Sequence, residues 1–188
     1  MTRSTPLTFG LFSTVLAVFA PGMAHGAGIL DGNRDADNRG FAVVETSIGW
    51  RLVQREGPWI SPWAWSWNLG YLDRTEERAA WGAAVKLTTD ESGFRVGPVV
   101  RHRRWLGNDV AVDVGAGLYV RSAFETTLMP TTDLALSYKG LVGVHAGFDL
   151  VHSWDRAPHG EGHVGLRLGK GLAPAVMVPL LAIAVGGQ

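Results

Sequence analysis

The chain has 188 residues, with 17 Lys+Arg balanced by 17 Asp+Glu, 46% hydrophobic residues and no cysteine. A zero formal charge argues against a surface that coats nucleic acid, and the missing cysteines exclude a disulfide scaffold, a thiolate zinc site and a thiol nucleophile. With charged residues at only 18%, the chain is not of disordered composition, and its length suits one domain with its own core.

Residues 1–26 read as a secretory signal. Arg3 supplies the positive start, Leu7 to Ala20 an apolar run, and Ala24-His25-Gly26 the small residues of a cleavage site. The apolar run is shorter than the ~20 residues of a spanning helix. Residues 27–40 are rich in Asp, Asn and Gly and read as an exposed polar arm. Within it, Asp31-Gly32-Asn33-Arg34-Asp35-Ala36-Asp37 alternates oxygen ligands like the opening of a calcium loop. Ala36 stands where that loop needs glycine, however, and Ala42 where it needs a bidentate glutamate, so no metal site is expected.

From residue 41 to 188 the hydrophobic period is two, and this span reads as a β-barrel domain. The alternation predicts strands over 41–53, 59–72, 78–88, 94–106, 110–121, 134–150, 163–170 and 174–185, joined mostly as hairpins. Turn residues separate them, among them Glu56-Gly57-Pro58, Asp90-Glu91-Ser92-Gly93 and Gly107-Asn108-Asp109. The 134–150 segment is long for one strand, and Tyr138-Lys139-Gly140 offers a turn that splits it. In that case the barrel closes at 170 and 171–188 is a tail. Pro174 and Pro179 make 174–185 a poor central strand.

The two faces of these strands differ in chemistry. One face, taken through Ala42–Leu52, Trp59–Tyr71, Ala79–Leu87, Phe94–Leu106, Val110–Val120 and Leu134–Leu150, is apolar except at Thr46, Ser61, His102, Arg104 and Gly140. The other carries Glu45, Arg51, Arg78, Lys86, Arg95, Arg101, Arg103, Asp113, Arg121, Lys139 and Asp149, interleaved with glycines such as Gly49, Gly82, Gly97, Gly115 and Gly147. A narrow closed interior favours glycine, and charges survive inside one only when paired or watered. Glycine on a wet outer face only weakens a strand. The apolar face is therefore expected to meet lipid. The lumen is expected to hold an ion-pair network of Glu45, Arg51, Lys86, Arg95, Arg101, Arg103, Asp113, Arg121, Lys139 and Asp149. Trp50, Trp59, Trp63, Trp65, Trp67, Tyr71 and Trp81 fall on the lipid side, where aromatic girdles form. The directions of Arg101 and Val100 decide between this scheme and its mirror image, a soluble lipocalin-like carrier of the periplasm.

Through the signal, the alternation and hairpins such as Arg101–Leu106 into Val110–Gly115, the chain resembles the small eight-stranded outer-membrane barrels of the OmpA/OmpX type over about residues 41–185. The resemblance implies an antiparallel up-and-down transmembrane barrel in a Gram-negative outer membrane. Its partners would be membrane lipid, and lipopolysaccharide or surface partners met through loops, with no nucleic acid and no cofactor. Such barrels usually finish in an aromatic residue, whereas this chain ends Ala184-Val185-Gly186-Gly187-Gln188.

Two segments imitate catalytic sets. His159-Gly160-Glu161-Gly162-His163 has histidines and a glutamate, but not the order or helical spacing of the H-E-x-x-H zinc motif, and it reads as a polar loop. His152-Ser153 resembles part of the site of PagL-type lipid A deacylases, outer-membrane barrels that use His, Ser and Glu on the lipid-facing surface. Their His and Ser are one residue apart and share a face. Here the two are adjacent and point oppositely on a strand; Glu161 is the candidate third member. The expected function is structural or surface-interacting, without catalysis, and a lipid A-modifying hydrolase is the alternative.

Overall fold

A computed structural model describes residues 40–52, 63–90, 93–121, 127–153 and 156–169, with 172, 173 and 175. Eight strands follow one another: β1 (Gly40–Arg51), β2 (Trp63–Glu76), β3 (Ala79–Asp90), β4 (Gly93–Trp105), β5 (Val110–Arg121), β6 (Thr127–Tyr138), β7 (Val142–Ser153) and β8 (Arg156–Leu168). Each pairs antiparallel with its chain neighbour, and β8 returns to pair with β1, so the sheet is a closed up-and-down barrel without an edge. The ladder breaks register at Arg74/Glu76 in β2 and at Val151/Ser153 in β7. The barrel's terminal rim carries the start of β1, the end of β8 and turns 77–78, 106–109 and 139–141. The opposite rim carries the ends of β1, β3, β5 and β7 and the starts of β2, β4, β6 and β8.

The expected single strand over 134–150 is two strands. β6 starts seven residues earlier, at Thr127, and stops at Tyr138. Lys139 and Gly140 then both take positive φ, 52° and 63°, and the Leu141 amide donates to the Tyr138 carbonyl at 3.0 Å. That is the type I′ geometry whose twist matches a two-stranded hairpin. Splitting this segment completes a closed barrel of eight, and the strand expected over 174–185 lies, but for Ala175, outside the described residues. The segment expected as 163–170 is the second half of β8, whose pairing with β1 leaves no edge to extend. Leu172 and Ala173 instead enter a helical turn, their amides donating to the Gly169 carbonyl at 3.2 and 3.4 Å. Ala173 is buried against Val44 and Leu69 on the outer wall of β1 and β2. The signal segment 1–26 and the arm to residue 39 lie outside the described residues, and Gly40, expected as the last arm residue, opens β1.

The lumen is layered along the barrel axis. Near the terminal rim Phe41, Val43, Leu72, Ala80, Trp105 and Ala111 form an apolar cluster, with Phe41 and Trp105 edge-on at 5.9 Å. Toward the opposite rim Tyr119, Met129 and Val151 form a second. Charged side chains fill the space between. In register Arg101 pairs with Gly82 and Gly115, Lys86 with Gly97 and Arg167 with Gly143, and these glycines sit where neighbouring chain comes close: a Cβ on Gly82 would meet the Tyr71 carbonyl, on Gly97 the Leu118 carbonyl, on Gly143 the Leu136 carbonyl and on Gly115 the Asp133 carboxylate.

Candidate functional site

Residues on successive positions of one strand point to opposite sides of the wall. Arg101 is 1% exposed and its neighbour Val100 is 58% exposed. The charged face is therefore the interior. Leu134, Val144, Phe148 and Leu166, from β6, β7 and β8, lie on the outside and are exposed as well. This is the inside-out arrangement of a transmembrane barrel, because no water-facing surface carries so continuous an apolar wall. Strands of 12 to 14 residues exceed the ~9–11 that a tilted strand needs to cross a bilayer.

Two ion-pair clusters occupy the lumen. In the first, Arg103 grips Asp113 with two nitrogens, Nε to Oδ1 at 2.7 Å and Nη2 to Oδ2 at 3.0 Å. Glu45, reaching in from β1, accepts from Arg101 Nη1 at 2.6 Å and from Arg103 Nη2 at 2.8 Å. Arg167 of β8 also donates to Glu45 and stands 3.1 Å from Asp113. Three guanidiniums thus share two carboxylates, all buried. The second cluster lies nearer the opposite rim. Arg95 Nη1 donates to Asp149 at 3.0 Å and stands 3.5 Å from Glu161, and Thr131 donates to Asp149 at 2.6 Å. Lys86 donates to Asp133 at 3.3 Å, and Arg51 lies 4.0 Å from Glu161. Such pairs offset the cost of leaving water only when nearly every lone pair and proton is matched. Crossing partners from β1, β3, β4, β5, β6, β7 and β8 supply most of that matching here, while Arg101 Nε is buried with no hydrogen-bond partner among the described residues.

No protein-family model matches the chain, and no curated protein does so either. Among solved structures, a likeness is found to the outer membrane protein Ail of Yersinia pestis in a phospholipid bilayer nanodisc. It covers 68% of this chain and 99% of that one, at 13% identity and a TM-score of 0.36. The barrel assignment rests on the strand pairing described above.

Of the residues expected in the lumen, Glu45, Arg51, Lys86, Arg95, Arg101, Arg103, Asp113 and Asp149 point inward. Lys139 does not. It sits exposed in the β6–β7 turn, 4.0 Å from Asp109 of the adjacent turn, because the strand that was to carry it inward ends one residue earlier. The side chain of Arg121 lies outside the described residues. Of the expected lipid-facing aromatics, Trp50, Trp63, Tyr71 and Trp81 are exposed on the outer wall. Trp65 and Trp67 also face outward but stack on each other at 5.6 Å, and Trp65 donates to Thr46 at 2.6 Å. Trp59 lies outside the described residues. So do the side chains of His152 and Ser153, which end β7.

Segment 159–163 is strand rather than loop. Glu161 and His163 turn into the lumen, and His159 stands 3.5 Å from Glu161. Asp133, Arg167 and His145 are luminal residues that the sequence reading passed over. Asp133 fell just before the expected start at 134. Extending the alternation back through Met129, Thr131 and Asp133, opposite Leu128, Pro130 and Thr132, places it inside.

Proposed function

We propose that the protein is an integral outer-membrane barrel whose lumen is closed to solutes, and that its role is structural or one of surface interaction through its loops. The observation that carries this reading is the opposite exposure of Val100 and Arg101, 58% against 1%. Lipid solvates the one and the ion-pair network the other. Three layers support closure of the lumen, an apolar cluster at each end and ion pairs between, in a barrel of the strand number whose interior side chains just fill.

Fractionation of envelopes tests the placement. The mature protein is expected in the outer-membrane fraction and to need detergent for release; recovery from the soluble periplasm contradicts the proposal. On this reading the barrel has no catalytic role. Mass spectrometry of lipid A from cells with and without the protein is expected to show the same acylation pattern. Loss of an acyl chain that depends on Ser153 makes it a hydrolase instead.

A further inference from the structure

The outer wall is not evenly bare. On β7 and β8, Val144 and Leu166 are 55% and 57% exposed. On β1 and β2, Val44 and its cross-strand partner Leu69 are each only 6% exposed. Both point outward, since Glu45 beside Val44 and Asn68 beside Leu69 are buried on the luminal face. The covered patch continues to Leu87 of β3, also buried, which is in register with Trp67. Trp67 stacks on Trp65, and Trp65 is bonded to Thr46, so the two indoles bound the patch on one side. Over Val44 and Leu69 the cover is Ala173.

The seam of the barrel explains how the chain reaches that place. β8 pairs with β1 only from Thr46 to Arg51, so Val44 lies past the end of the β1–β8 ladder. After Leu168 the Gly169 amide donates to the Leu141 carbonyl at 2.9 Å, and the Leu172 and Ala173 amides then turn back onto the Gly169 carbonyl. This turn sets the chain on the outside of β1. Ala173 is fully buried although it lies outside the wall, and a small side chain resting on a wall is fully buried only where more chain encloses it. Residues 174–185, Pro-Ala-Val-Met-Val-Pro-Leu-Leu-Ala-Ile-Ala-Val, follow directly and carry no charged, hydroxyl or amide side chain. Water is a poor solvent for such a run. It is shorter than the ~20 residues of a spanning helix, and a closed sheet has no edge to which it could add as a strand. Side-chain packing against a wall is what remains. As a helix the run extends about 18 Å at ~1.5 Å per residue. Strands about 4.8 Å apart make β1 to β3 about 10 Å wide, well within its reach.

We propose that the outer wall of β1 to β3 is the docking surface for the chain's own segment 174–185, which lies between barrel and lipid and covers the stretch of β1 that has no β8 partner. The proposal rests on the membrane reading of the outer wall. Lipid then meets the β5–β8 side directly and the β1–β3 side through this segment. The occupant is this segment rather than a second copy because its entry point, Ala173, is already seated on Val44 and Leu69.

The test uses the full mature chain, methyl-labelled at Ala, Ile, Leu and Val, in phospholipid nanodiscs, and reads nuclear Overhauser cross-peaks. Cross-peaks from lipid acyl chains are expected at Val144 and Leu166 and are expected to be lost at Val44 and Leu69, which instead show cross-peaks to methyls of residues 174–185. In a mixture of two differently labelled populations these peaks are expected to stay within one chain. Peaks between chains make the cover a second copy and overturn the proposal. A chain ended after Ala173 is expected to gain lipid cross-peaks at Val44 and Leu69, with heat-dependent gel mobility checking that the barrel is folded; a folded truncated barrel that gains none overturns the proposal. If the truncated chain fails to fold, the cross-peaks of the parent decide. Lipid cross-peaks at Val44 and Leu69 of the parent as strong as those at Val144 overturn the proposal and leave the membrane reading intact. Their absence from Val144 and Leu166 as well overturns the membrane reading, and this proposal with it.

Discussion

Arg103 of β4 and Asp113 of β5 are direct cross-strand partners, and their side chains also meet through two parallel hydrogen bonds at 2.7 and 3.0 Å. Backbone register and ion pairing therefore specify the same alignment. A one-residue slip of β5 against β4 would part this pair and turn Asp113 toward lipid. Arg101 and Arg167 converge on the same carboxylate. Removing it strands positive charge in a buried space. Asp113→Ala is expected to destabilise the barrel by about 3–5 kcal/mol, read from urea unfolding in lipid vesicles. Asp109→Ala, which removes the half-exposed partner of Lys139, is expected to shift it by less than about 1 kcal/mol. Equal effects would show that the lumen is wet at Asp113.

Val100 lies mid-strand on the outer wall, seven residues after the start of β4 and five before its end. Val100→Arg is expected to cost about 2–4 kcal/mol in vesicles, the depth-dependent cost of a charge facing lipid near the midplane. A negligible cost would mean that this wall faces water and would return the barrel to the soluble class.

The apolar cluster of Phe41, Leu72 and Trp105 lies at the terminal rim beneath the ion pairs, and the proposed function takes it to close the lumen there. Protein reconstituted in planar bilayers is expected to show no stepwise ion conductance. Discrete openings in the parent protein would require a continuous water path past both apolar layers.

Lys139 holds a φ of 52° without being glycine. That region costs an ordinary L-residue about 1–2 kcal/mol, and asparagine tolerates it better. Lys139→Asn is expected to stabilise the barrel by up to about 1 kcal/mol, and Gly140→Val to destabilise it by at least as much. Unfolding midpoints of the two variants, measured in the same vesicles, check the signs.

Period-two alternation made the strand faces legible because it depends only on local geometry. A run such as Val96-Gly97-Pro98-Val99-Val100-Arg101 declares its two sides whatever it pairs with. Strand ends were less legible. Pro130 lies inside β6, exposed on the outer wall, while the inward residues Met129 and Thr131 continue the pattern past it. Asp133 was lost with that boundary, and with it the partner of Lys86.

The amino-acid order by itself determined a β-barrel with charge on one face and apolar side chains on the other, since each strand's alternation is written within a dozen residues. Only the tertiary structure decided who meets whom. Glu45 is bound by Arg101 and Arg103, 56 and 58 positions away, because closure of the sheet sets the inward face of β1 across the lumen from that of β4. The pairing of His145 with Gly165 and of His163 with Gly147 likewise exists only once β7 and β8 are in register. Such contacts depend on closure of the sheet, a property of all eight strands together that no single segment encodes.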